Sequence, residues 1–102
     1  MDIKQLNYFM AVAQAGSFSK AAENLTVSQP TLSVAVKKLE EELGVRLFYS
    51  FNREQRLTDE GLRLMNVARR LMDVYQQTVE DVRVIDHNTE GSFTLGLSPL
   101  FG

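Results

Sequence analysis

Three punctuation points divide the first 44 residues so closely that only short helices fit between them: Gly16-Ser17, Ser28 with Pro30, and Gly44. Asp2, with Gln5 three residues on, forms a capping box that opens the first helix. Leu6, Phe9, Met10 and Ala13 follow at helical spacing, and Gly16 supplies the left-handed stop. Ser17 caps a second helix built on Ala21, Ala22 and Leu25. Ser28 caps a third, with Pro30 in its first turn, where a missing N–H costs nothing. That helix runs through Leu32, Val36, Leu39 and Leu43 and stops at Gly44. Ala22 is small where the second and third helices would cross, and Leu25, Val27 and Leu32 would clasp the turn between them. Residues 18–43 therefore read as a helix-turn-helix, a scaffold able to present its second helix to a major groove.

The character changes after Gly44. Leu47, Phe48, Tyr49 and Phe51 favour strand, Asn52 to Glu54 favour a turn, and Gln55 to Thr58 return as a second short strand. Thr58 then caps a long helix with Asp59 and Glu60 in its first turn. No proline interrupts it before about His87, which makes it about 45 Å long. Asn88 to Ser92 is a polar, glycine-containing break, and Phe93 to Leu97 alternates like the start of a strand. A lone strand does not fold by itself, so this end reads as the entrance to a further domain. The residues alone read as mostly α: a helix-turn-helix and a small hairpin over 1–58, a long helix over 59–88, and a polar break with the start of a strand over 89–102.

Composition bounds the function. In 102 residues the net charge is −2, with +1 carried by residues 1–58 and −3 by the remainder. Binding an acidic polymer needs a local basic face rather than a basic whole, so this balance permits nucleic acid without suggesting it. There is no cysteine, which excludes disulfides and thiolate metal sites and fits a reducing cytoplasm. No apolar run could span a bilayer, and the first residues lack a signal-peptide pattern. The single histidine, His87, has no second ligand to make a metal site, and no glycine-rich loop cradles phosphate. Glu40 to Glu42 read as a solvated run. Neither catalytic nor metal-binding residues are expected, and no enzyme activity.

Ordered words in the chain add to this. SFSKAAENLTVSQPTLS, then VKKLEEELGVRLF, then RLTDEG closely resemble the N-terminal domain of LysR-type transcriptional regulators, over Met1 to about Ser98. FTLGLSPLFG is similar to the first strand of that family's effector-binding domain and the loop after it. The resemblance implies a mostly α fold: a winged helix-turn-helix over 1–58 with its recognition helix at Ser28–Leu43 and its wing at about Leu47–Thr58, a linker (dimerisation) helix over 59–88 that pairs with a second copy, and a hinge with the start of a truncated effector-binding domain over 89–102. It implies a cytoplasmic bacterial protein that represses or activates genes, usually metabolic ones. It binds double-stranded DNA as a homodimer, with higher oligomers open to the full-length protein. No cofactor is expected in this chain; a small-molecule effector would bind the further domain.

Residue by residue, Gln29 matches the position that reaches base edges, and its amide can pair bidentately with adenine or adapt to other bases. Pro30 and Thr31 suit contact with a thymine methyl, and Ser33 can bond a base or a phosphate. Lys37 and Lys38 would hold phosphates, or else form a solvated face paired with Glu41 and Glu42. Ser28 and Pro30 also fit as simple helix-start residues. Arg53 matches a wing arginine used near the minor groove, and Arg56 is a further phosphate candidate; a plain charged turn is the other reading of both. The chain departs from the family at Val34 and Ala35, where Arg-Gln is frequent, and at Ser50, where Arg is frequent. Val34 stays on the reading face, and readout would then rest on Gln29, van der Waals contact and DNA shape.

In the long helix, positions 61, 65, 68, 72, 75, 79 and 82 alternate steps of four and three. The expected dimer seam is Met65, Ala68, Met72, Tyr75, Val79 and Val82, flanked by Leu64 and Leu71. Thr78 and Ile85 continue the flank, and Leu62, Val67 and Val74 widen it, with Leu62 and Leu64 also free to pack on the small domain.

Overall fold

The computed structural model describes residues 1–91, and side chains as far as Arg83. Its elements are α1 (Ile3–Ala15), α2 (Phe18–Leu25), α3 (Gln29–Leu43), β1 (Phe48–Phe51), β2 (Glu54–Leu57) and α4 (Asp59–Gly91). Contacts divide the chain into two compact units, Met1–Arg69 and the residues from Arg70 onward. The first unit thus runs about three turns into α4, past the boundary read at Thr58.

The local punctuation forms as its chemistry dictates. The Gln5 N–H donates to Asp2 Oδ1 at 2.7 Å and the Asp2 N–H donates to Gln5 Oε1 at 3.1 Å, which completes the capping box. Gly16 closes α1 at φ 76°, and its N–H donates to Val12 O. The Lys20 N–H donates to Ser17 Oγ, and the Thr31 N–H to Ser28 Oγ. Gly44 ends α3 at φ 72°. One stop was not foreseen: Thr26 ends α2 at φ 59°, in the left-handed region that a β-branched residue rarely adopts. Bonds from the Thr26 N–H to Glu23 O and from the Val27 N–H to Ala22 O hold it there.

The wing is an antiparallel pair with Phe48 opposite Leu57 and Phe51 opposite Glu54. Only Asn52 and Arg53 lie between the strands, at φ 52° and 65°, the backbone of a two-residue primed turn. Glu54, expected in the turn, is therefore the first residue of β2. The Gln55 N–H donates to Gly16 O at 2.9 Å, which ties the wing to the end of α1.

The core of the first unit gathers Leu6, Phe9 and Val12 from α1, Ala21 and Ala22 from α2, and Leu32, Val36 and Leu39 from α3. Leu47 and Phe48 join from the wing and Met65 and Ala68 from α4. The Phe48 ring lies 5.4 Å from Phe9 and 6.0 Å, edge-on, from Phe18. Each fully buried large side chain contributes about 1.5–3 kcal/mol relative to exposure. Leu43, read as the last core residue of its helix, is 39% exposed.

Thr58 is the joint between wing and α4. Its N–H donates to Leu47 O, its hydroxyl donates to Arg46 O at 2.6 Å, and its Oγ1 accepts the Gly61 N–H. Gly61 itself lies against Leu47: a Cβ there would overlap the Leu47 carbonyl oxygen and come within 2.9 Å of Leu57 Cδ2.

Three expectations for α4 need correction. Met65 and Ala68, assigned to the dimer seam, are 6% and 0% exposed in the first unit and have no surface left for a second chain. Leu62, offered to the small domain, is 52% exposed, while Leu64 is half-buried against the core as expected. Asn88 to Gly91 continue the helix, since no proline stands there to break it. Ile85, His87 and the strand read at Phe93–Leu97 lie outside the residues whose side chains or backbone are described.

Candidate nucleic-acid interface

α3 presents two unlike faces because its apolar residues recur at helical spacing. Leu32, Val36 and Leu39 point into the core, whereas Gln29, Pro30, Thr31, Val34, Lys37 and Lys38 are exposed. The structure thus brings together on one surface most of the residues singled out from the sequence. Ser33 is half-buried and lines an open groove with Lys37, Phe18, Glu40 and Arg46.

Hydrogen bonding sorts these residues further. The Ser28 hydroxyl accepts from the Thr31 N–H at 3.2 Å and donates to Thr31 Oγ1 at 2.7 Å, so its proton and an acceptor site both serve the cap. Among the described residues, neither Lys37 nor Lys38 pairs with Glu41 or Glu42. Both ammonium groups therefore face solvent without a carboxylate to neutralise them. Val34 is 52% exposed, an apolar side chain on an otherwise polar face.

In the wing, Arg53 sits exposed at the turn. Arg56 is held by its own strands: its guanidinium lies 4.8 Å from the Phe51 ring centroid and 3.4 Å from Glu54 Oε1. Ser50, at the position where the family often has Arg, accepts from Gln55 Nε2 across the pair at 3.0 Å.

Two participants escaped the sequence reading. The Ser19 hydroxyl, on α2, donates to Gln29 Oε1 at 3.0 Å. Nothing local in the sequence marks that pair; only the crossing of α2 and α3 brings residues ten apart together. The second is Glu40. Far from being one of a solvated run, its side chain is 17% exposed and its Oε2 accepts the Leu47 N–H at 2.8 Å. It thereby fixes the chain between α3 and β1. Glu40→Ala should lower unfolding free energy by about 1–3 kcal/mol, because it strands a buried N–H. Glu40→Gln, which keeps an acceptor oxygen, should lose less; urea denaturation of the two variants checks the order.

Residues 3–62 match the family described as bacterial regulatory helix-turn-helix protein, lysR family, and the chain belongs to that family. An uncharacterised HTH-type transcriptional regulator of the ibpB-leuC intergenic region of Azotobacter vinelandii is 40% identical over 102 residues, all of this chain and 71% of that protein. CitR of Bacillus subtilis, an HTH-type transcriptional regulator, is 37% identical over 98% of this chain. The chain spans about a third of CitR's length, 34%. Among solved structures, the DNA-binding domain of BenM in complex with catB site 1 DNA superposes with a TM-score of 0.81 at 37% identity, covering 84% of this chain and 96% of that one. Full-length CbnR complexed with its target DNA gives 0.76 at 36% identity, covering 83% and 30%. Among the described residues, no helix is long and apolar enough to cross a membrane.

Proposed function

We propose that this chain is the DNA-binding end of a cytoplasmic transcription regulator that grips double-stranded DNA as a homodimer. The N-terminal half of α3 would enter the major groove, and the turn at Arg53 would approach the minor groove. The observation that carries this reading is the exposed surface of Gln29, Pro30, Thr31, Val34, Lys37 and Lys38 on a helix whose opposite face buries Leu32, Val36 and Leu39 in the core. The likeness to two regulators crystallised on DNA supports it. Gln29 would read base edges, Val34 and the Thr31 methyl would contact thymine methyls, and Lys37 and Lys38 would hold phosphates. Arg53 would contribute through the minor-groove potential, and Arg56 less, being already stacked on Phe51. A small-molecule effector would act through residues outside the described structure, on expression of metabolic genes.

For the second copy, the support lies in α4 beyond the first unit. Leu71, Val74, Tyr75 and Val82 are 40%, 63%, 48% and 54% exposed, and with Thr78 they share one face. Solvent-facing aliphatics at that spacing are the side chains a partner helix covers. Met72 and Val79, half-buried, border this face. The proposed seam keeps Tyr75 and Val82 of the expected heptad, adds the flanking Leu71, Val74 and Thr78, and leaves out Met65 and Ala68.

Selection of bound duplexes from a random pool tests the reading. A two-fold related sequence should emerge, and Gln29→Ala should weaken binding to it by about fivefold to 150-fold, the ~1–3 kcal/mol of one base-edge contact. Enrichment of no sequence would instead favour a winged helix used for protein contact alone.

A further inference from the structure

We propose that Ser19 is a positioning residue that fixes the orientation of the Gln29 amide and so sets which bases α3 accepts. The inference rests on the reading of Gln29 as a base-contacting residue and adds a preference to it.

A free glutamine is ambivalent. Its amide presents one acceptor and two donors, and a half-turn about the last side-chain bond exchanges them. In the adenine pairing, Oε1 accepts from N6 while Nε2 donates to N7, so both atoms must face the same base edge. In this chain Oε1 is already engaged: the Ser19 hydroxyl donates to it at 3.0 Å. Both ends of that bond stand on fixed backbone. Ser19 lies in the first turn of α2, capped by Ser17 and held by Ala21 and Ala22, which are 0% and 4% exposed at the crossing. Gln29 is the first residue of α3, directly after the Ser28 cap. In this arrangement the oxygen faces α2 and the Nε2 protons have no protein acceptor among the described residues. An amide held this way offers donors. Its best partners are edges that only accept: guanine through N7 and O6, or thymine through O4, whereas adenine offers N7 alone. Adenine is disfavoured because its N6 donor then meets an amide nitrogen instead of the oxygen of the bidentate pair.

The test uses a duplex selected by this chain from a random pool, remade with each of the four base pairs at the position where Gln29→Ala flattens discrimination. The wild-type chain should prefer guanine or thymine over adenine by about tenfold, a value within the range for one base-edge contact. Ser19→Ala should cut that preference below about threefold, with affinity for random-sequence DNA and melting temperature unchanged. Ser19→Thr, which keeps the hydroxyl, should retain it. A wild-type preference for adenine, or a Ser19→Ala chain with the wild-type ranking, overturns the proposal while leaving Gln29 as a reader. If Gln29→Ala flattens no position at all, the reading of Gln29 falls, and the proposal falls with it.

Discussion

A chain carrying Gly61→Ala should melt about 10 °C below the wild type. Two effects oppose each other at this position. Alanine is the better helix former by up to about 1 kcal/mol, which alone would stabilise α4. Against it stands geometry: the added Cβ would overlap the Leu47 carbonyl oxygen and lie 2.9 Å from Leu57 Cδ2 and 3.2 Å from the Leu47 carbonyl carbon. Leu57 can move, but Leu47 cannot. Its carbonyl already accepts the Thr58 N–H at 3.0 Å, its N–H is held by Glu40, and its side chain is 1% exposed. Relief must come from shifting the start of α4 away from the wing, which disturbs the Thr58 bonds and the seating of Met65. Overpacking of that kind costs about 3 kcal/mol and exceeds the helix gain. The net loss of about 2 kcal/mol corresponds to roughly 10 °C in a domain this small. Thermal denaturation at matched protein concentration measures it, since dimerisation makes the midpoint concentration-dependent. An unchanged or raised midpoint would show that α4 yields more easily than these contacts imply.

The same joint shows what was legible in the sequence. Caps are local chemistry, decided by residues within one turn. Hence Asp2 with Gln5, Gly16, Ser17, Ser28 and Gly44 were all placed correctly from their neighbours alone. The reading face of α3 followed for a similar reason: once Leu32, Val36 and Leu39 are known to face inward, Gln29, Val34 and Lys37 must face outward. Periodicity, by contrast, reports that a stripe is apolar and not what covers it. The heptad through Gly61, Met65 and Ala68 is regular enough to suggest a partner helix, yet its first part closes the core of its own unit. Glu40 was hidden by its neighbours, since three successive glutamates look alike until one of them turns inward to the Leu47 N–H. Thr26 and the Asn52-Arg53 turn demanded positive φ without glycine, for which the sequence holds no strong mark.

The burial of Met65 and the exposure of Val74 predict a pair of variants with opposite phenotypes. Val74→Asp should leave the first unit as stable as in the wild type, since Val74 is 63% exposed and lies beyond Arg69. It should nonetheless abolish the dimer, because a carboxylate on the covered face must be desolvated without a partner, at a cost of several kcal/mol. Sedimentation at tens of micromolar should give a single chain. Affinity for a two-fold related duplex should fall by about a hundredfold or more, because the second half-site loses its tethered copy. Met65→Ala should do the reverse. Met65 is 6% exposed within the core, and truncating such a side chain costs about 2–5 kcal/mol of folding free energy. Wherever the chain remains folded, the variant should still sediment as a dimer. If Met65→Ala dissociates the dimer while Val74→Asp spares it, the partner helix lies along the original heptad and the first turns of α4 must leave their own core to meet it.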